Sequence, residues 1–137
     1  MSTLIDTNVL LDVLEVRLGR FEWAVKQLEN LAEKGDLVFN QIIYGEASVP
    51  YATSAAFERI LTNPWLKRED LPWDAAFYAG KAYLAYRQRG GGKANVLPDF
   101  LIGAHALAKG HSVLTRDPAR FRTYFPSVTV IAPDTHP

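Results

Sequence analysis

An apolar run that ends on a carboxylate sets the frame for this chain: Leu4-Ile5-Asp6-Thr7-Asn8-Val9-Leu10-Leu11. The pattern predicts a short strand, about Thr3 to Asp6, that runs straight into a helix over Val9 to Val16. Asp6, Thr7 or Asn8 is suited to cap that helix. A continuous apolar strand is one buried on both faces, as in a parallel sheet covered by helices. In such sheets chemistry collects outside the carboxyl ends of the strands, and Asp6 sits at one.

The rest of the chain repeats the alternation of strand and helix. Val25, Leu28, Leu31 and Ala32 recur at helical spacing in a helix over Phe21 to Lys34, stopped by Gly35. Leu37 to Phe39 is a second strand, followed by helices over Ile42 to Tyr51 and Thr53 to Leu61, the latter capped by Thr53 or Ser54 and ended by Asn63-Pro64. Trp65 to Leu71 carries no periodic pattern. Trp73 to Arg89 is a long helix with Asp74 as its expected cap, and Gly90-Gly91-Gly92 a loop. Asp99 to Lys109 is a helix opened by Pro98 and closed by Gly110. Strands follow at Ser112 to Thr115 and Val128 to Ile131. This order predicts an α/β fold, a mainly parallel central sheet flanked by helices, in a single domain spanning residues 1–137.

Fifteen basic and fifteen acidic residues give no net charge. A polyanionic substrate would therefore need a local patch, a metal or a second subunit. The absence of cysteine excludes disulfides and thiolate metal sites. Met1-Ser2-Thr3 leads directly into the first strand, without a signal peptide, and no apolar run is long enough to cross a membrane. The expectation is a cytoplasmic protein.

Three further acids belong at the same rim as Asp6: Glu46 early in a helix after the second strand, Asp99 at a helix start, and Asp117 just past Thr115-Arg116. Each has an ordinary structural reading. Asp6 is a good cap, Asp99 is favoured by the helix dipole, Asp117 before proline suits a turn, and Glu46 fits a solvated helix face. As a set they repel, by roughly 4 kcal/mol for a pair ~4 Å apart at a surface-like dielectric. A shared cation resolves that repulsion. Oxygen ligands without histidine or cysteine favour Mg²⁺ or Mn²⁺ over zinc, and such an ion lowers the pKa of a water for phosphodiester hydrolysis.

Four segments in order carry a family resemblance: Ile5-Asp6-Thr7-Asn8, Ile43-Tyr44-Gly45-Glu46, Leu97-Pro98-Asp99-Phe100-Leu101-Ile102-Gly103-Ala104 and Leu114-Thr115-Arg116-Asp117. Together they resemble the PIN-domain family, most closely the VapC-type toxins of bacterial and archaeal toxin–antitoxin pairs, over essentially the whole chain. The resemblance implies a three-layer α/β/α domain and Mg²⁺- or Mn²⁺-dependent endoribonuclease activity leaving 5′-phosphate and 3′-hydroxyl ends. It maps the acidic cluster to Asp6, Glu46, Asp99 and Asp117, with Asp6, Asp99 and Asp117 as metal-binding residues and Asn8 and Thr115 in support. It also implies a small VapB-type antitoxin and a homodimer. Gly103 stands where the family more often has alanine.

Among the remaining residues, Arg116 and Arg120 flank the fourth acid and are the expected RNA contacts, with Arg122 nearby. The basic segment of Arg87, Arg89, the three glycines and Lys93 is either a phosphate-tracking loop or a solvated one. His105 lies about 120° round its helix from Asp99 and reads as a packing residue. Neither His111 nor His136 suggests a ligand, and Asp12 reads as solvated or paired. Tyr44, Tyr51, Phe57, Trp65, Trp73, Phe77 and Tyr78 belong either to the core or to an apolar groove for a partner. Competing readings are a housekeeping RNA-processing PIN nuclease, a binding module whose acids serve only a basic partner peptide, and a haloacid-dehalogenase-like Mg²⁺ phosphohydrolase. The last wants a second aspartate where this chain has Asn8.

Overall fold

The computed structural model describes residues 1–16, 19–92 and 96–137. Strand β1 (Thr3–Ile5) leads into α1 (Thr7–Leu14) and α2 (Phe21–Ala32). Then come β2 (Leu37–Phe39), α3 (Gln41–Ser48), α4 (Ser54–Ile60), β3 (Leu66–Arg68) and α5 (Trp73–Gln88). Helix α6 (Leu97–Lys109), β4 (Ser112–Leu114), α7 (Ala119–Tyr124) and β5 (Val130–Ile131) complete the described elements.

All pairings are parallel, in the order β3-β2-β1-β4-β5. From β1 the chain builds outward to β2 and β3, then returns to the other side of β1 as β4. The gap between the carboxyl ends of β1 and β4 is thus a topological switch point, where ligand clefts form in such sheets. Thr3 pairs with Ser112 and Ile5 with Leu114. That register brings Asp6 and Thr115 side by side.

Every residue of β1, β2 and β4 is buried, so both faces of the central sheet are covered by helices. Helix α6 supplies much of the cover, burying Phe100, Ile102, Gly103, Ala104, His105 and Ala106. Ala75 and Ala79 of α5 are fully buried, and their small side chains permit close approach of α5 and α6. Around Phe100 lie Tyr83, Tyr86, Tyr124 and Phe125, with the Phe100–Tyr124 rings 5.2 Å apart edge to face. Gly103 makes room for this cluster: a Cβ there would lie 2.4 Å from the Phe125 ring. Gly110, at φ 71°, ends α6 in the left-handed conformation that glycine adopts without strain.

Several boundaries differ from the sequence reading, each for a local reason. Helix α1 starts at Thr7 because Asp6 itself is the cap. Asn40 caps α3, its Oδ1 accepting from the Ile42 and Ile43 amides. Pro72, not Asp74, precedes α5, and Asp74 lies in the first turn. Leu66-Lys67-Arg68 forms an edge strand whose charged, partly exposed residues lack an apolar signature. Helix α7 is a short segment the periodicity did not reveal, and the last strand is limited to Val130 and Ile131.

The aromatic set divides. Phe57 is buried, with Tyr44 and Tyr51 packed on it at 4.8 and 5.0 Å. Trp65, Trp73, Phe77 and Tyr78 are exposed, Trp73 by 91%. In the basic segment, Arg87 donates to the Tyr83 hydroxyl and Arg89 lies over the Tyr124 ring, while Lys93 falls outside the described residues. Among the described residues, no helix is long and apolar enough to cross a membrane.

Candidate active site

The carboxyl ends of β1 and β4 open into a cleft of about 240 Å³ lined by Asp6, Thr7, Asn8, Leu11, Glu46, Asp99 and Asp117. All four acids from the sequence therefore meet in one place. Asp6 arrives as the α1 cap, Glu46 from α3, Asp99 from the first turn of α6, and Asp117 from the turn between β4 and α7.

Asp6 is the deepest of them and the best held. Its Oδ1 accepts from the Thr7 amide at 2.8 Å, and its Oδ2 accepts from Thr115 Oγ1 at 2.7 Å and Asn8 Nδ2 at 3.3 Å. Burial nevertheless pushes its pKa up to about 7, opposed by the Thr115 hydrogen bond and reinforced by the Asp99 and Glu46 carboxylates. Asp99 is likewise raised, chiefly by burial, although Arg120 Nη1 donates to its Oδ2 at 2.8 Å.

Asn8 and Thr115 stand where support was expected. Thr115 Oγ1 also accepts from the Asp117 amide at 3.0 Å and from Asn8 Nδ2 at 3.3 Å, while Asn8 Oδ1 accepts from the Arg116 amide at 3.2 Å. One buried hydroxyl thus joins the first and fourth acids. The sequence reading considered Thr7 only as a cap. Its Oγ1 donates to Glu46 Oε1 at 2.7 Å, tying α1 to the acid of α3. Its place between Asp6 and Asn8, two residues past the end of β1, was the available signal.

The arginines of this region are engaged in different ways. Arg116, one of the expected RNA contacts, donates through Nε and Nη2 to both carboxylate oxygens of Asp12, which is fully buried. A buried carboxylate held by a guanidinium fork is an internal clamp, and removing one partner of such a pair costs about 3–5 kcal/mol. Arg116 therefore fixes the turn that carries Asp117. Arg122 pairs with Asp134 at the surface, and Arg120 faces the cleft through Asp99.

The acidic lining, Asp6, Glu46, Asp99 and Asp117, is an all-oxygen donor set in one cleft. A hard divalent cation fits these donors. A second cluster does not fit one. The donor atoms of Glu69, His105 and His111 lie within 4.8 Å of one another. Asn40 Oδ1 is committed to its cap, so Asn40 Nδ2 donates to His105 Nδ1 at 2.9 Å and leaves the ring proton on Nε2. That proton points to Glu69 Oε1 at 2.7 Å, which also bonds His111 Nε2 at 2.7 Å. A metal would need the lone pair that His105 Nε2 does not have. His105 is thus a satisfied core residue, as expected. His111 bonds Ser2 as well, and His136 contacts Thr135. A separate hollow of about 280 Å³ beside β3 is lined by Phe39, Tyr44 and Arg68 among others. Arg68 there is held by Glu58.

The PIN domain family model matches residues 3–125. Comparison with curated protein sequences finds no match. Among solved structures, the chain is similar to the VapBC2 complex of Rickettsia felis bound to a DNA fragment from its promoter, with a TM-score of 0.74, 20% identity, and 96% and 98% of the two chains covered. FitAcB of Neisseria gonorrhoeae gives a TM-score of 0.71 and 22% identity over 96% and 97% of the chains. Mycobacterium tuberculosis VapC20, a sarcin–ricin-loop-cleaving toxin, gives 0.60 and 17% over 81% and 86%. These likenesses share the fold. The family match also removes the haloacid-dehalogenase alternative: this chain belongs to the PIN domain family.

Proposed function

We propose that this protein is a metal-dependent endoribonuclease and the toxin of a type II toxin–antitoxin pair. The observation that carries the reading is the convergence of Asp6, Glu46, Asp99 and Asp117 in one cleft at the switch point of a PIN domain. Asp6, Asp99 and Asp117 would hold Mg²⁺ or Mn²⁺, with Glu46 beside them. When bound, the cation supplies a water of lowered pKa and neutralises charge on the scissile phosphate. The chain's own groups do the positioning. Thr115 keeps Asp6 and the Asp117 backbone in register, and Thr7 aims the Glu46 carboxylate into the cleft. Glu46 would help hold the metal or orient the attacking water.

The reading includes a small VapB-type antitoxin, a homodimer and a cytoplasmic setting for one domain over residues 1–137. An antitoxin is supported by the likeness to toxin–antitoxin complexes, and a protein partner by the exposed Trp73, Phe77 and Tyr78 on α5. A housekeeping RNA-processing nuclease would use the same chemistry without toxicity. Induced expression in bacteria separates the two. Growth arrest with new RNA fragments, absent for Asp99→Asn and relieved by a small protein encoded beside it, is the expected result. Undiminished growth alongside active nuclease would favour the housekeeping role.

A further inference from the structure

We infer that Arg120 is the resident counter-charge of Asp99: it competes with the divalent cation for that carboxylate and passes to an RNA phosphate once displaced. The inference rests on the cleft being a metal-dependent RNA site and adds to it a coupling between cation and substrate.

Among the described residues, Arg120 is the cation hydrogen-bonded to one of the four cleft acids, Nη1 to Asp99 Oδ2 at 2.8 Å. The other two arginines of this region are differently placed. Arg116 is forked onto buried Asp12, and Arg122 is forked onto Asp134 on the outer surface. Arg116 cannot leave buried Asp12 without cost, and neither Asp12 nor Asp134 lines the cleft.

The Arg120 pair is built differently. It is a single hydrogen bond rather than a fork, and its side chains are 35% and 31% exposed. Water reaches both groups, so this pair opens at less cost than the Arg116–Asp12 clamp, whose carboxylate is fully buried. The guanidinium also lies 5.9 Å from the centroid of the Tyr86 ring. Tyr86 belongs to the Phe100 cluster and gives the released head a second contact that does not depend on Asp99.

Arg120 takes up one lone pair of Asp99 Oδ2 and sets a positive charge 2.8 Å from it. A cation bound at either oxygen of Asp99 therefore meets the repulsion of that guanidinium, and is held more weakly until the pair opens. The freed guanidinium stays beside Asp99, a residue of the cleft lining, with a planar donor fork suited to phosphate. An RNA phosphate that captures Arg120 removes the cation's competitor, so RNA and metal each tighten the other by the same factor.

Titration of Mn²⁺ into RNA-free protein tests the competition. Arg120→Gln should bind Mn²⁺ about 5-fold tighter or more, Arg120→Lys should fall between it and the parent, and Arg122→Gln should match the parent. Arg122→Gln removes the same charge from the same helix, so equal tightening in both would reduce the effect to long-range charge and overturn the proposal. Unchanged or weaker Mn²⁺ binding by both Arg120 variants would overturn it too, making Arg120 a support for the metal ligand. Absence of Mn²⁺ binding by all four proteins is a different pattern and would overturn the metal reading of the cleft itself. Thermal melts in EDTA check folding, with Arg120→Lys deciding if the glutamine variant is unfolded.

Binding of a phosphorothioate RNA oligonucleotide tests the transfer. With saturating Mn²⁺, Arg120→Gln should lower the salt slope by about 0.7, one single-strand phosphate contact, and should leave the slope in EDTA unchanged. Equal slopes with Mn²⁺ would overturn the transfer.

Discussion

Thr115 Oγ1 donates a 2.7 Å hydrogen bond to Asp6 Oδ2, joining the residue that follows β4 to the residue that follows β1. The same hydroxyl accepts from the Asp117 amide at 3.0 Å. A single buried side chain thus fixes two of the four cleft acids relative to each other. Thr115→Val keeps the shape and removes these bonds. We expect a stability loss of about 1–3 kcal/mol and a larger loss of RNA cleavage, with Thr115→Ser near the parent. Denaturant unfolding and cleavage assays read both; equal behaviour of the valine and serine variants would remove the role of the hydroxyl.

Asp6 gives the metal-free protein a defined pH dependence. Its folded pKa of about 7 lies above the ordinary 3.8 because of burial. The native state therefore binds the proton more tightly than the unfolded chain, and this group stabilises the fold as pH falls from about 7 toward 4. The shift corresponds to about 4 kcal/mol at most. Asp6→Asn lacks the titration. In EDTA, its stability relative to the parent should be greatest above pH ~7 and decline by up to that amount toward pH ~4. A pH-independent difference would show that Asp6 is not held up by burial.

The Glu69–His105–His111 network acts in the opposite sense. Burial holds His105 below its ordinary 6.5, so its contribution is present while it is neutral and is lost as pH falls below about 6.5. Burial also pushes Glu69 upward, but the hydrogen bonds from His111 and His105 outweigh it and leave the carboxyl below its usual range. Its contribution is accordingly lost only in stronger acid, below the ordinary 4.5. Glu69→Ala leaves two ring N–H groups without their shared acceptor and should cost about 1–3 kcal/mol at neutral pH. Zinc should not restore that stability, because His105 Nε2 carries its proton. Zinc rescue in a thermal melt would contradict this assignment.

Gly103→Ala tests how tightly α6 is packed. Alanine favours a helix by about 1 kcal/mol over glycine, but its Cβ would sit 2.4 Å from the buried Phe125 ring. Overpacking of this kind costs about 1–3 kcal/mol, so a net loss of about 1 kcal/mol is expected in denaturant midpoints. A gain in stability would mean the ring yields freely.

The legible parts of the sequence were those with strong local chemistry. The apolar runs of β1, β2 and β4, the Thr53 cap and the Gly110 stop follow from short-range rules, and these carried the parallel α/β fold. The four acids were legible because each stands at a strand end or in a helix that follows one, and their spacing matched a family. What was hidden depended on tertiary partners. The edge strand at Leu66–Arg68 pairs only because β2 offers it an edge. Arg116 looked available until the fold brought Asp12 to it, and Thr7 looked like a cap until α3 delivered Glu46. Side-chain commitments between residues 104 and 39 positions apart leave no periodic trace.

The most direct test of the central claim is cleavage of total cellular RNA by the purified protein, with Mg²⁺ or Mn²⁺, with EDTA, and beside Asp99→Asn. Discrete fragments bearing 5′-phosphates, formed only with metal and absent from the variant, are the predicted result. Fragments that persist in EDTA or with Asp99→Asn would contradict a metal-dependent site built on these acids.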